Sequence, residues 1–64
     1  MREQELWQRL EAHLGRHYAH MWADSVVLGV LGGRTVHEAI AAGIDFKSIW
    51  RACWQMLDLS EAQR

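Results

Sequence analysis

Leu6, Trp7, Leu10 and Leu14 recur three and four positions apart, while Arg2, Glu3, Glu5, Arg9 and Glu11 fill the remaining faces. One apolar stripe with charged flanks predicts an amphipathic helix over about residues 2–14. Gly15 ends it, since a residue without a β-carbon readily takes the left-handed conformation that closes a helix. A second stripe follows in Tyr18, Met21, Trp22, Val26 and Val30. It predicts a helix over about 16–30, with a break available near Asp24 and Ser25, either of which can cap a new start. Gly32 and Gly33 then interrupt the pattern.

The second half of the chain carries sharper local signals. Thr35 and Glu38 form a Thr-x-x-Glu capping box, so a helix starts at Val36 and runs to about residue 42, where Gly43 stops it. Asp45 is placed to cap a last helix over about 46–57. On that helix Phe46, Ile49, Trp50, Cys53 and Leu57 share one face, Ser48, Arg51 and Gln55 lie opposite, and Trp54 and Met56 fall on the flanks. The polar tail from Asp58 to Arg64 is expected to fray unless Ser60 begins another turn. The pattern therefore predicts an all-α fold: a compact single-domain bundle of three to four short helices, with a helix-turn-helix-like pair at 35–57.

Composition narrows the classes of function. A chain of 64 residues makes one domain, and at that size folding buries only roughly 60% of the surface of the unfolded chain. Half of its residues are hydrophobic and four are tryptophan, so a few large side chains must supply the core. Seven Lys or Arg against eight Asp or Glu leave a net charge of −1, and hence no whole-molecule field for nucleic acid or an anionic membrane. Cys53 is the single cysteine. With no partner for a disulfide and no secretory signal ahead of the first helix, the expected location is the reducing cytoplasm. No apolar stretch is long enough to span a bilayer, so no membrane role is expected.

The chain resembles the domain-of-unknown-function 3046 family, small proteins of high-GC Gram-positive bacteria. Its specific part is Leu31-Gly32-Gly33-Arg34-Thr35, followed by Ala41-Ala42-Gly43 and Trp50-Arg51-Ala52, with Val36, Glu38-Ala39 and Lys47 matching between them. Trp7, Leu10, Gly15, Tyr18-Ala19, Trp22-Ala23 and Asp24 extend the likeness across the first half. Ser60, where the family pattern has proline, and the bulky Trp54 after Cys53 depart from it. The resemblance implies a compact helical protein and, through genes that neighbour those of the recombinase and its regulator, a link to DNA recombination or repair. It implies no activity and no site.

Two readings of function follow. Ala39, Gly43, Ile44 and Ile49 have the spacing of a helix-turn-helix, which would make 46–57 a recognition helix offering Lys47, Ser48, Arg51 and Gln55 to DNA. Two cations on that helix, with Asp45 and Asp58 at its ends, predict only weak and salt-sensitive binding. The simpler reading of the small residues is close helix packing, with the protein acting as a non-enzymatic adaptor or regulator for an unidentified protein partner. Arg34 is a candidate contact, because its glycine-flanked loop leaves it able to reach a carboxylate or phosphate, or to fold back onto backbone carbonyls, Glu38 or Asp24. Trp54 is a candidate aromatic anchor unless the first helix or the tail covers it.

No enzyme is expected. Cys53 has Ile49, Trp50 and Leu57 as helical neighbours rather than a base, which makes it a core thiol. His13, His17 and His20 would converge only if one helix ran through Gly15, so neither a metal nor any other cofactor is expected. Trp7, Trp22 and Trp50 fall on apolar stripes and belong to the core.

Overall fold

The computed structural model describes residues 1–59. Over these the chain forms α1 (Glu3–Leu14), α2 (Arg16–Ser25), a single 3-10 turn (Gly29–Leu31), α3 (Val36–Ala41) and α4 (Phe46–Met56). The fold is all-helical. α1 packs on α2 and α4, and α3 packs on α2 and α4, so that the four helices enclose one core. Leu6 and Leu10 of α1, Ala19, Trp22 and Ala23 of α2, Val36 and Ala39 of α3, and Ile49, Trp50, Ala52 and Cys53 of α4 are buried in it.

The α1–α2 junction turns on Gly15. Its amide donates to the Glu11 carbonyl and its own carbonyl accepts from Ala19, so one residue ends one helix and begins the next. At φ +86° and ψ 153° it does not take the left-handed helical cap the sequence suggested. It sits in a region that is essentially closed to residues with a side chain. The break parts the histidines. His20 pairs with Glu11 at 3.0 Å and stacks on Trp7 at 4.5 Å, while His13 stacks on Trp50 at 5.9 Å. Trp7 is half-buried rather than fully in the core, held between His20 and His37.

The expected helix over 16–30 ends at Ser25. Val26 and Leu28 are extended, and Leu28 exchanges an antiparallel bridge with Arg34, its amide donating to the Arg34 carbonyl at 2.9 Å. The adjacent β-branched Val26 and Val27 favour extended backbone, and the bend lets Leu28 plug the core at 1% exposure. The stripe assigned to this region is also out of phase. Tyr18, Met21 and Val30 are exposed, and the inward face of α2 is Ala19, Trp22 and Ala23.

From Thr35 onward the local signals and the structure coincide. The Thr35 hydroxyl accepts from the Glu38 amide at 3.1 Å, and the Glu38 carboxylate accepts from the Thr35 amide at 2.9 Å. At the end of α3 the Gly43 amide donates to Ile40 and the Ile44 amide to Ala39, the paired bonds of a Schellman turn. α4 ends the same way. Asp58 donates to Gln55 and Leu59 to Trp54, with Asp58 at φ +54° in the place glycine usually takes. The tail is thus anchored through Leu59, which is half-buried against the core; Ser60 and the remainder of the segment expected to fray lie outside the described residues.

Candidate functional site

The side of α4 turned away from the core is Ser48, Arg51 and Gln55, three residues at spacings of three and four that fall on one helical face. Across from it stands the loop 28–34, closed by the Leu28–Arg34 bridge and by the Leu31 and Gly33 amides, both of which donate to the Leu28 carbonyl. Between helix and loop lies an open groove of about 520 Å³ whose walls include Val30, Arg34, Ser48, Arg51 and Gln55 above Leu31, Ile44 and Ala52. Beyond Val30, Ala52 and Gln55 it continues into a second recess reaching Leu28, Gly29 and Met56. One end carries the arginines; the other is apolar.

Arg34 is fixed in place. Its Nη1 donates to the Leu31 carbonyl at 3.0 Å, so of the alternatives the sequence offered it takes the backbone carbonyl. The turn beneath it favours glycine at 32 for its backbone, and Arg34 uses the space that this leaves. Gly32 is left-handed at φ +74° and ψ 28°, and a β-carbon there would meet Arg34 Nη1. Because the guanidinium carries five N–H groups, one bond to Leu31 leaves others for a ligand.

The remaining candidates separate. Lys47 lines a different recess together with Met1, Glu5, Trp50 and Arg51, facing the start of α1. Trp54 is half-buried against the core and lines neither part of the groove. Ser48 is engaged at the helix start: its amide and hydroxyl both donate to the Asp45 carboxylate at 2.8 Å. Those two bonds, the amide first, hold the Asp45 carboxyl below the usual carboxylate range, and Arg51 adds a small pull in the same direction. The structure thus brings to one groove four candidates that the sequence offered separately, Arg34 from the glycine loop and Ser48, Arg51 and Gln55 from the last helix, and adds the apolar walls Val30 and Met56, which the sequence did not mark. Gly29 and Gly32-Gly33 bracketing Val30 were the available signal, since a dipeptide between glycines makes a poor helix core.

Cys53 is fully buried, and desolvation pushes its thiol up to about 12. That shift lowers the fraction of thiolate, the form in which a cysteine attacks or ligates. Among the described residues no group of three or more His, Cys, Asp or Glu side chains is positioned to hold a metal, and no helix is long and apolar enough to cross a membrane.

The fold and groove define a small all-helical domain with one closed loop packed beside its last helix. The chain belongs to the family described as protein of unknown function (DUF3046), whose model matches residues 1–62. No curated protein and no solved structure matches it.

Proposed function

We propose that this protein is a non-enzymatic adaptor that holds a segment of another protein in the groove between the loop 28–34 and α4. The observation that carries the reading is the exposure of Val30, at 68%, on the wall of a groove floored by Leu31, Ile44 and Ala52. Apolar surface held open by a closed loop is the kind of surface that protein contact covers. The single buried cysteine suits a reducing compartment, and a cytoplasmic location and a link to DNA recombination or repair belong to the same proposal. A photo-crosslinking amino acid at Val30 tests it in the native cell. A discrete protein adduct at Val30 and none from the same group at Gln8, exposed on α1, is the expected result. Equal or absent adducts at both positions refute it.

A weak DNA-binding function of α4 is the second reading, favoured by the Asp45-capped helix after the Gly43 turn with Lys47, Ser48, Arg51 and Gln55 exposed. The placement of Lys47 beside Glu5, away from Arg34, leaves few cations converging on any one phosphate track. Titration of labelled duplex and single-stranded DNA at low salt decides it. Binding that falls with salt and is lost in both Lys47→Ala and Arg51→Ala would favour this reading; no binding at low ionic strength ends it.

A further inference from the structure

We infer that the groove takes a short acidic segment with an apolar anchor: a carboxylate at the Arg34–Arg51 end and an apolar side chain between Val30 and Met56. This rests on the adaptor reading and names the chemistry of its partner. Charge is the first argument. None of the residues lining either part of the groove is acidic, while two arginines line it. Asp45, the carboxylate nearest Arg51 along the chain, feels that arginine only as the smallest of its influences and is engaged by the Ser48 amide and hydroxyl, while Glu38, the one nearest Arg34, accepts from the Thr35 amide. Arg51 makes no ion pair among the described residues.

Preorganisation is the second argument. A flexible arginine gives up rotamer freedom when it grips a ligand, and that loss opposes binding. Arg34 has given up part of it, because Nη1 already donates to the Leu31 carbonyl, in the space that the absent Gly32 side chain leaves at the wall of the groove. A planar guanidinium held in this way recognises the planar carboxylate of Asp or Glu through paired hydrogen bonds.

Length is the third. From Ser48 to Met56 the groove follows about two turns of helix, ~12 Å. Only a few residues fit: about four if extended, at roughly 3.3 Å each. The arginines lie toward the α3 end and Met56, Leu28 and Gly29 toward the other. The occupant therefore has a direction, with its acid and its apolar anchor a few residues apart.

Selection from a phage-displayed library of random peptides against the folded protein tests this. Enriched sequences are expected to pair Asp or Glu with an apolar residue within about four positions, the span of the groove. The synthetic peptides should lose affinity about tenfold or more in Arg51→Glu and in Val30→Asp, and weaken as salt rises. Both sites are exposed, and circular dichroism confirms that each variant is folded. Selection against Arg51→Glu should shift the enriched charge toward Lys or Arg. Peptides lost with Val30→Asp but lacking acidic enrichment would overturn the inference and leave the adaptor reading standing. Selection of no peptides, or of peptides indifferent to Val30→Asp, would overturn both.

Discussion

A β-carbon added to Gly32 would lie 2.6 Å from Nη1 of Arg34, so the missing side chain of one residue is the seat of the other. The same Nη1 donates to Leu31, and the Arg34 carbonyl closes the loop on Leu28. The Leu31-Gly32-Gly33-Arg34 run is thereby explained as one object: a turn that needs glycine and an arginine that fills the space glycine leaves.

Gly32→Ala should destabilise the protein by about 2–3 kcal/mol, combining the left-handed backbone penalty with disturbance of the Arg34 bond. Gly33→Ala keeps the first cost without the second, since nothing lies near its β-carbon position. Urea unfolding of the two variants should rank them in that order. In an Arg34→Ala background the difference between them should shrink, because the clashing atom is gone.

Leu10→Ala removes a fully buried side chain at the centre of α1. Such truncations cost about 2–5 kcal/mol. At about 0.05–0.15 kcal/mol per residue, a domain of this size holds about 3–10 kcal/mol in all, so the loss is a large share of the total. Thermal unfolding followed by circular dichroism should find the midpoint of the variant far below the parent's; a cooperative transition near that of the parent would contradict the packing described.

Asp58→Gly should stabilise, by about 0.5–1 kcal/mol, because glycine adopts the left-handed conformation at the end of α4 without the strain of a β-carbon. A lower denaturation midpoint would show that the Asp58 side chain contributes something the backbone geometry does not reveal.

The depressed pKa of Asp45 links its cap to acid stability. A carboxyl whose folded pKa lies below its unfolded value of 3.8 adds stability that is fully present above that value and is lost as pH falls through the folded pKa. Asp45→Asn keeps a capping oxygen and removes the titration. Its stability should fall less steeply than the parent's at acid pH, and parallel profiles would refute the assignment.

Cys53 has the opposite shift. Its thiol is raised from 9.0 to about 12, so its contribution holds below the unfolded pKa and is lost as pH climbs through the folded one. Iodoacetamide at mildly alkaline pH should label it no faster than the protein unfolds, and with denaturant it should react at the rate of an ordinary thiol.

The legible parts of the sequence were those written in local chemistry. The Thr35–Glu38 box and the Asp45 cap act over three residues, and their side chains announce them. The stretch 26–34 was not legible, because its shape depends on Leu28 meeting Arg34 across a loop and on Leu28 filling the core. The phase of α2 was misread for a related reason. Tyr18 and Met21 offer more apolar area than Ala19 and Ala23, yet the buried face sets two alanines around Trp22, because small residues beside one large side chain let the neighbouring helices approach closely. For the site, the polar wall was readable as the outward face of α4, whereas Val30 looked like one more member of a helical stripe.

The first helix also meets the last, with Arg9 lying 5.5 Å above the ring of Trp50 and His13 stacked on it. Most other packing joins helices that are neighbours along the chain, and can form as soon as each pair does. The Arg9–Trp50 contact between α1 and α4 closes a loop of about forty residues, whose entropy must be overcome before the contact rewards it. Refolding speed should therefore answer to changes at Trp50 more than to equal changes in stability within the α1–α2 hairpin. In kinetic terms, that one aromatic side chain marks the moment at which four short helices become one protein.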